Sequence, residues 1–250
     1  MRVIKGALVP LLLIITWELA SRYGLAPIET YSRPSDILAA GWQIIADGSL
    51  LVSTYQTLEA AAVGLLIAIL IGIPLGMLIG LSSLAHKTVS PTLDLLRTVP
   101  PVALIPLALL IFGFGVSMEA AVVAFASVWS IAIATTVAVT AIEKRLYEVA
   151  LALEMSKRDY AMKIVLPAAL ARIAVGIRIA IGIALVVAVT VEIVVNPRGL
   201  GYGIIIAQQS LRPDLMYAQL LWIGVVGWTI NALLNVVDTR LLARFNGRSR

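Results

Sequence analysis

The sequence contains no cysteine, a single histidine and few charged residues, which make up 13% of its 250 positions. Without cysteine, a disulfide framework and a thiolate metal site are excluded. The histidine, His86, stands beside Lys87 in a polar stretch, which indicates a solvated side chain. The sequence also lacks a Gly-x-x-x-x-Gly-Lys-Ser/Thr motif, so the chain does not hydrolyse ATP through a P-loop of its own.

The scarcity of charge also excludes an ordinary soluble globule, since soluble chains carry about 25% charged residues. Hydrophobic residues make up 60% of the sequence, and the mean hydropathy is +0.99. These values predict a polytopic membrane protein with little room for a separate soluble domain. The net charge of +5 could suggest nucleic acid, but the basic residues follow a membrane pattern, and no nucleic-acid partner is expected.

Six apolar segments predict an all-α protein with six transmembrane helices in one domain, residues 1–250. The first segment could be a cleaved signal peptide, but Glu18 would stand three residues before a cut after Ala20, where small residues are required. An amphipathic stretch that contains Trp42 predicts an interfacial helix on the outer side. The predicted spans are about 6–23, 54–81, 92–112, 118–142, 170–195 and 216–242, with a cytoplasmic loop at 143–169.

The third of these segments is unusual, because its uncharged part, residues 98–112, is too short for a straight span and contains Pro100 and Pro101. If this helix spans the membrane, it must include Asp94 or Arg97, or be bent. Broken helices at membrane depth line protein or a water-filled cavity, so this segment is a candidate for the translocation pathway. The alternative is that Arg97 only extends its side chain to the cytoplasmic interface.

Basic residues are distributed unequally between the two sides of the predicted membrane. Four lie on one side (Arg22, Arg33, Arg198 and Arg212), while Arg97 and Arg178 are left unassigned. The excess of basic residues marks the cytoplasmic side, which therefore holds both termini and the loop 143–169. The thirteen on that side are Arg2, Lys5, Lys87, Lys144, Arg145, Lys157, Arg158, Lys163, Arg172, Arg240, Arg244, Arg248 and Arg250.

Within the cytoplasmic loop, residues Glu148 to Pro167 form a polar, helix-prone stretch between two long apolar segments. Alternating charged and apolar residues predict two short amphipathic helices. Ser156, followed three residues later by Asp159, predicts a capping-box-like start for the second helix. Pro167 is expected to prevent that helix from running unbroken into the next span. An ordinary amphipathic connector would show the same pattern.

This stretch resembles the EAA loop of the membrane subunits of ABC importers, through Glu148, Ala150, Leu166 and Pro167. The family pattern is Glu-Ala-Ala, a Gly four residues on and a distal Leu-Pro. The resemblance implies that the loop docks into a groove on the ATP-hydrolysing subunit. The residues it implies for this coupling are Glu148, Ala150, Glu154, Met155, Ser156, Lys157, Asp159, Tyr160, Leu166 and Pro167.

Two positions depart from the family pattern: Val149 replaces its first Ala, and Glu154 replaces its Gly. A Gly at the second position suits a helix that ends in the left-handed conformation. Glu154 must therefore either adopt that conformation, at a cost of about 1 kcal/mol, or form another turn.

Further motifs resemble the nitrate/sulfonate/taurine branch of these permeases, in the same order along the chain. They are Gly72-Ile-Pro-Leu-Gly76, Gly80-Leu-Ser82, Arg97-Thr-Val-Pro-Pro101, Phe112-Gly-Phe-Gly115 and Gly199-Leu-Gly-Tyr202. The resemblance implies the type I ABC importer permease fold in a bacterial-type inner membrane. It also implies a pore of two copies, two ATP-binding subunits and an extracytoplasmic solute-binding protein, besides membrane lipid. No cofactor is expected in this chain, because the partner ATPase would bind ATP and Mg.

Two carboxylates, Glu59 and Glu192, fall near the outer ends of their predicted spans. They are either solvated at the interface or line an outward vestibule, where they would disfavour small anions and suit a neutral, zwitterionic or cationic cargo. Alternatively, an Arg of the second copy neutralises them and the cargo is anionic. The predicted pathway residues are therefore Glu59, Arg97, Pro100, Pro101 and Glu192.

Two other classes of function are alternatives to an importer pore. The pore itself is not expected to be an enzyme. A secondary transporter or channel driven by an ion gradient would have an internal repeat and a relay of intramembrane carboxylates, and no convincing repeat is found. A membrane-embedded enzyme would need clustered His, Asp or Glu residues, and the single His86 argues against one.

Overall fold

A computed structural model describes the backbone of residues 2–23 and 32–246, and the side chains of residues 8–23 and 32–236. The described residues form helices and turns and contain no strand. A 3₁₀ turn covers Pro101–Leu104, and a π-helical stretch covers Tyr160–Val165. The α-helices are α1 (Arg2–Arg22), α2 (Pro34–Ala46), α3 (Ser49–Leu81), α4 (Ser83–Leu96), α5 (Ile105–Phe112), α6 (Val116–Thr140), α7 (Lys144–Ala152), α8 (Lys157–Asp159), α9 (Leu166–Val194), α10 (Gly199–Gln209) and α11 (Pro213–Asn246).

Helices α3, α6 and α9 pack together and form the centre of the protein. Fully buried residues of α6, such as Val123 and Ile131, lie against small residues of the neighbouring helices. A Cβ atom on Gly64 of α3 would lie 2.6 Å from the Cβ of Val123, so only glycine permits this close approach. Small residues at such contacts let membrane helices pack closely where no hydrophobic force drives association.

Helix α3 begins at Ser49, five residues before the span predicted at 54–81. Gly48 precedes it in the left-handed conformation, with φ of +79°. The Oδ1 atom of Asp47 accepts a hydrogen bond from the Ser49 N–H at 2.8 Å, and hydrogen bonds from Ser49 hold the pKa of Asp47 below its usual value. A local turn with a carboxylate at its end therefore fixes where the helix starts.

Helices α4 and α5 are joined through the 3₁₀ turn and make an angle of 82° with each other. Pro100, in an extended conformation, stands at the break. Of the two alternatives for this segment, the structure has the bend. Arg97 and Asp94 lie at the end of α4 and are 3.2 Å apart, with more than half of each side chain exposed.

Helices α2, α10 and α11 pack on the N-terminal end of α3. Ile37, Ala40 and Ile44 of α2 are buried in a cluster that includes Leu200 of α10 and Ala218 of α11. The opposite side of α2 presents Trp42, which is 72% exposed. The predicted amphipathic helix is therefore present, and its apolar residues divide between a protein-facing and an uncovered face.

Four helical stretches in the described part of the chain are long and apolar enough to cross a membrane, or five if the bent pair α4–α5 counts as one span. The four are Ser49–Leu81, Val116–Thr140, Lys157–Gln209 and Pro213–Val236. The remaining predicted span, 6–23, corresponds to α1, which lies partly outside the described side chains. The fold is an all-α, polytopic one, as predicted. Of the residues that predict its orientation, Arg2, Lys5, Arg240, Arg244, Arg248 and Arg250 have side chains outside the described set.

Candidate coupling loop and pathway residues

Helix α7, the first helix of the loop, buries one small residue and leaves its larger apolar residues uncovered. Ala150 is 4% exposed, whereas Tyr147 and Leu151 are 51% and 61% exposed, and Leu153, which directly follows the helix, is 67% exposed. Glu148 lies on the exposed surface as well. A short helix with uncovered apolar side chains and a flanking charge is suited to bind a groove on another protein.

The end of α7 has the hydrogen bonds of a Schellman motif. The N–H of Met155 donates to the carbonyl of Ala150, and the N–H of Glu154 donates to the carbonyl of Leu151, both at 3.0 Å. Glu154 adopts the left-handed conformation, with φ of +50°. Of the two alternatives for this departure from Gly, the structure has the strained left-handed residue.

The start of the second loop helix confirms the cap predicted at Ser156. Its Oγ accepts a hydrogen bond from the Asp159 N–H at 3.1 Å and lies 2.8 Å from the carboxylate of Asp159. That carboxylate also binds Lys163, with 2.6 Å between Oδ1 and Nζ. Lys157 is the first residue of this helix. The loop is thus shaped by its own short-range hydrogen bonds.

The expectation that Pro167 stops the helix before the next span is wrong. The chain stays helical from Lys157 to Val194, and the six residues before Leu166 form a π-helical stretch. The Leu166 N–H donates to the carbonyl of Ala161, five residues back. The wider turn accommodates a proline that lacks an N–H and would crowd the carbonyl four residues before it.

The π-helical stretch attaches the loop to the membrane helices. Val165 is fully buried in a cluster with Ala138 and Val139 of α6, and Leu166 packs against that cluster. Tyr160 contacts Tyr147 of α7 edge to face, with 5.5 Å between ring centroids. Packed side chains therefore connect α7 to α6 and α9.

Of the predicted pathway residues, Glu59 and Glu192 lie near the same end of α3, because Glu192 binds Thr57, which stands two residues before Glu59. The side chain of Glu59 is 34% exposed and forms an ion pair with Arg198 at 2.9 Å. Arg97 lies at the end of α4, paired with Asp94, and Pro100 and Pro101 lie at the break between α4 and α5.

Glu192 requires a correction, because it is neither solvated nor on the wall of an open vestibule. It is 1% exposed, and its carboxylate accepts hydrogen bonds from the Thr57 hydroxyl at 2.7 Å and the Gly201 N–H at 2.8 Å. Thr57 lies 135 residues earlier in the chain, so no local pattern could reveal this contact.

Sequence reasoning also missed three residues beside these carboxylates. Arg198 neutralises Glu59 within the same chain, whereas the prediction considered only an Arg of a second copy. Glu119, which stands at the start of the predicted span 118–142, is fully buried in the first turn of α6, and its carboxylate binds fully buried Asn196 at 2.7 Å. An acidic residue directly before a long apolar segment was the available signal for Glu119.

Arg178, left unassigned by the sequence, joins α9 to α11. One of its guanidinium nitrogens donates to Asn231 at 2.9 Å and to Asn235 at 2.6 Å. Arginine within a spanning helix is usually satisfied by polar groups in this way.

Comparison with known proteins places these features in context. Residues 72–247 match the family model described as binding-protein-dependent transport system inner membrane component. The nitrate import permease protein NrtB of Leptolyngbya laminosa is 32% identical over 84% of this chain and 78% of its own length. The taurine transport system permease protein TauC of Escherichia coli (strain K12) is 27% identical over 92% of this chain and 85% of its own length. A chain from an inward-facing structure of the MetNI methionine ABC transporter superposes with a TM-score of 0.68 at 20% identity, covering 76% of this chain and 95% of that one.

Proposed function

The chain belongs to the binding-protein-dependent transport system inner membrane component family, and from this premise we propose how its loop and its charged residues serve transport. It is a multi-pass membrane protein with the type I ABC importer permease fold. Its function is that of the pore subunit of an ATP-driven importer. The observation that carries the proposal is the exposed apolar surface of α7, which is joined to α6 and α9 through the buried Val165.

Residues 148–167 couple this chain to a separate ATP-binding subunit. The uncovered side chains of Tyr147, Leu151 and Leu153 enter a groove of that subunit, and burial of their apolar surface stabilises the contact. Because Tyr160 and Val165 connect α7 to the membrane helices, closure of the ATP-binding subunits moves α9.

The complete importer contains a second copy of this chain, two ATP-binding subunits and an extracytoplasmic solute-binding protein, surrounded by lipid. ATP and Mg bind in the ATP-binding subunits, and this chain holds no cofactor. The assembly lies in a bacterial-type inner membrane with both termini of this chain in the cytoplasm, as the distribution of basic residues supports.

The cargo is a small solute that carries an oxyanion group, either a free anion or a zwitterion. Two acidic side chains argued against an anion, but Glu59 is paired with Arg198 and Glu192 is buried, so neither presents an unbalanced negative charge to a solute. The relatives named for nitrate and taurine favour the same class.

Reconstitution with the cognate ATP-binding and solute-binding proteins tests the proposal. In proteoliposomes we expect ATP-dependent uptake of a sulfonate or nitrate, and no comparable uptake of a cationic amino acid. Leu151→Asp should prevent binding of the ATP-binding subunit. The control is Leu211→Asp, which changes a leucine that is 84% exposed in the turn before α11, far along the chain from the loop. Uptake that is driven by an ion gradient without ATP would contradict the proposal.

A further inference from the structure

The N-terminus of α10 is capped by side chains that come from α3 and α9. The Leu200 N–H donates to Thr57 Oγ1 at 3.0 Å, and the Gly201 N–H donates to Glu192 Oε2 at 2.8 Å. Thr57 and Glu192 also bind each other, with 2.7 Å between the hydroxyl and Oε1. The first N–H groups of a helix have no partner within the helix, so these contacts satisfy them across three elements.

The fit between α10 and Glu192 is too close for any side chain at two positions of α10. Gly199, whose φ is +85°, donates its N–H to Gln56 Oε1 at 2.9 Å. A Cβ atom there would collide with the carboxylate of Glu192, and one on Gly201 would collide with the carbonyl of Val189. The two glycines of the Gly199-Leu200-Gly201 sequence therefore allow the backbone of α10 to lie against a buried carboxyl group.

A second buried carboxyl group holds the turn that leads into α10. The Asn196 side chain donates to Glu119 Oε2 at 2.7 Å and accepts the Gly115 N–H at 3.1 Å. Glu119 and Asn196 are both 0% exposed. The turn after α9 is thus bound to the first turn of α6, in addition to its contacts with α3.

The two carboxyl groups differ in how many of their oxygen atoms accept hydrogen bonds. Both oxygens of Glu192 accept hydrogen bonds, whereas Oε1 of Glu119 is buried without a partner among the described groups. The two carboxyl groups are near enough to interact electrostatically. The neighbouring cation, Arg198, forms its ion pair with Glu59. Two buried carboxylates side by side would repel, and an unpaired anionic oxygen would be strongly disfavoured.

We propose that Glu119 and Glu192 are positioning residues for transport, in which Glu119 is a neutral acid and Glu192 is the ionised cap of α10. Together with Thr57 and Asn196 they form what we term the carboxyl latch, which fixes the turn 195–198 and α10 to the ends of α3, α6 and α9. A proton on Oε1 of Glu119 turns that oxygen into a donor and removes the repulsion. The role in transport rests on the proposed function; the protonation and the packing do not.

Infrared spectroscopy of the purified complex tests the neutral acid directly. The parent protein at neutral pH should show a carbonyl band of a protonated carboxylic acid that is absent from Glu119→Gln. The control is Asp36→Asn, which changes an exposed acid in the first turn of α2 and should leave the band in place. A parent spectrum identical to that of Glu119→Gln would overturn the assignment.

Thiol labelling tests the packing, because the chain contains no cysteine and Ala207→Cys introduces a single thiol on α10. Ala207 is 3% exposed, so the thiol should react slowly in membranes with a soluble maleimide. Adding Glu192→Ala should raise its labelling rate at least tenfold and lower ATP-driven uptake at least tenfold. Adding Glu119→Gln, which retains the shape of the neutral acid, should change the labelling rate by less than twofold.

Labelling does not depend on uptake, so a failure of the importer proposal and a failure of the latch can be distinguished. A protected thiol in Glu192→Ala would overturn the latch, as would rapid labelling in Glu119→Gln. If Glu192→Ala does not insert in the membrane, Gly201→Ala serves instead, since its Cβ would collide with the Val189 carbonyl and displace α10 while the carboxyl group of Glu192 is retained in the sequence. Rapid labelling is again expected, and protection would count against the latch.

Discussion

The guanidinium of Arg198 lies 2.9 Å from the carboxylate of Glu59, so an ion pair joins α3 to the turn between α9 and α10. Each side chain is about two-thirds buried or more. Glu59 is therefore balanced within its own chain, and a second copy need not supply the cation. This pairing also removes the reason for expecting an acidic vestibule that repels anions.

The ion pair predicts non-additive effects of neutralising its two members. Glu59→Gln and Arg198→Gln should each lower the thermal stability of the solubilised complex, because each leaves one partly buried charge unpaired. The double variant should recover part of the loss, with a coupling energy of about 1 kcal/mol or less, since solvent screens a pair that is about a third exposed. Additive losses in a double-mutant cycle of inactivation temperatures would contradict the pairing.

The left-handed residue that ends α7 predicts that Glu154→Gly stabilises the loop. Glycine adopts φ of +50° without the steric penalty of a side chain, which is about 1 kcal/mol. The thermal inactivation temperature should rise, and uptake should be retained because the Schellman hydrogen bonds are unchanged. Leu211, with φ of +52°, provides a parallel variant far from the loop, Leu211→Gly. A lower inactivation temperature for Glu154→Gly would show that the loop does not hold this conformation.

Those features of the coupling loop that depend on neighbouring residues could be predicted from the sequence. The cap at Ser156 follows from an acidic residue three positions on, and the structure has it. The sequence also showed that Glu154 departs from Gly at a helix end, although only the structure decides that the left-handed conformation persists. Local hydrogen bonds have local signatures, which explains this success.

Features that depend on distant partners could not be predicted. The place of Glu192 near the end of a span predicts an exposed carboxylate, but Thr57 and Gly201 bind it in a buried position. No local pattern connects Glu119 with its partner, Asn196, which is 77 residues away. Pro167 was expected to end a helix, whereas the chain continues through a π-helical stretch in which Val165 packs in the core. In each case tertiary contacts outweigh the local rule.

The π-helical stretch before Pro167 leads to a prediction about coupling. Pro167→Ala restores an N–H, so a regular α-helix becomes possible and would rotate the coupling loop relative to α9. We expect assembly with the ATP-binding subunit and basal ATP hydrolysis to remain, while the number of solutes imported per ATP falls several-fold. Pro91→Ala, in α4, is the matched loss of a helix proline away from this loop. An unchanged ratio of uptake to hydrolysis in Pro167→Ala would mean that the π-helical stretch has no role in coupling.

The orientation of the chain predicts the outcome of reporter fusions. A reporter inserted near Lys144 or fused after Arg250 should be cytoplasmic, because thirteen basic residues are predicted to share that side. A reporter near Asp47, in the turn between α2 and α3, should be outside. Paired alkaline phosphatase and fluorescent protein fusions measure both. An external signal at Lys144 would contradict the orientation and, with it, access of an ATP-binding subunit to the loop.

Charge reversal in the loop separates a docking contact from a structural one. Glu148 is exposed on α7, whereas Asp159 binds Ser156 and Lys163 and so maintains the loop itself. Glu148→Lys should therefore weaken binding of the ATP-binding subunit without unfolding the loop, and co-purification measures that binding. Asp159→Lys should also lower stability, because it removes the carboxylate that accepts the Ser156 hydroxyl and places a second positive charge beside Lys163.

Asp159→Asn is the control for these reversals, because it retains an acceptor oxygen and removes only the charge. If Glu148→Lys binds and imports like the parent while Asp159→Asn fails, the charge that matters lies inside the loop and not at its surface. If both reversed variants import normally, the loop is only a connector between α6 and α9. Loss of co-purification in Glu148→Lys, with normal binding in Asp159→Asn, is the result that the exposed surface of α7 predicts.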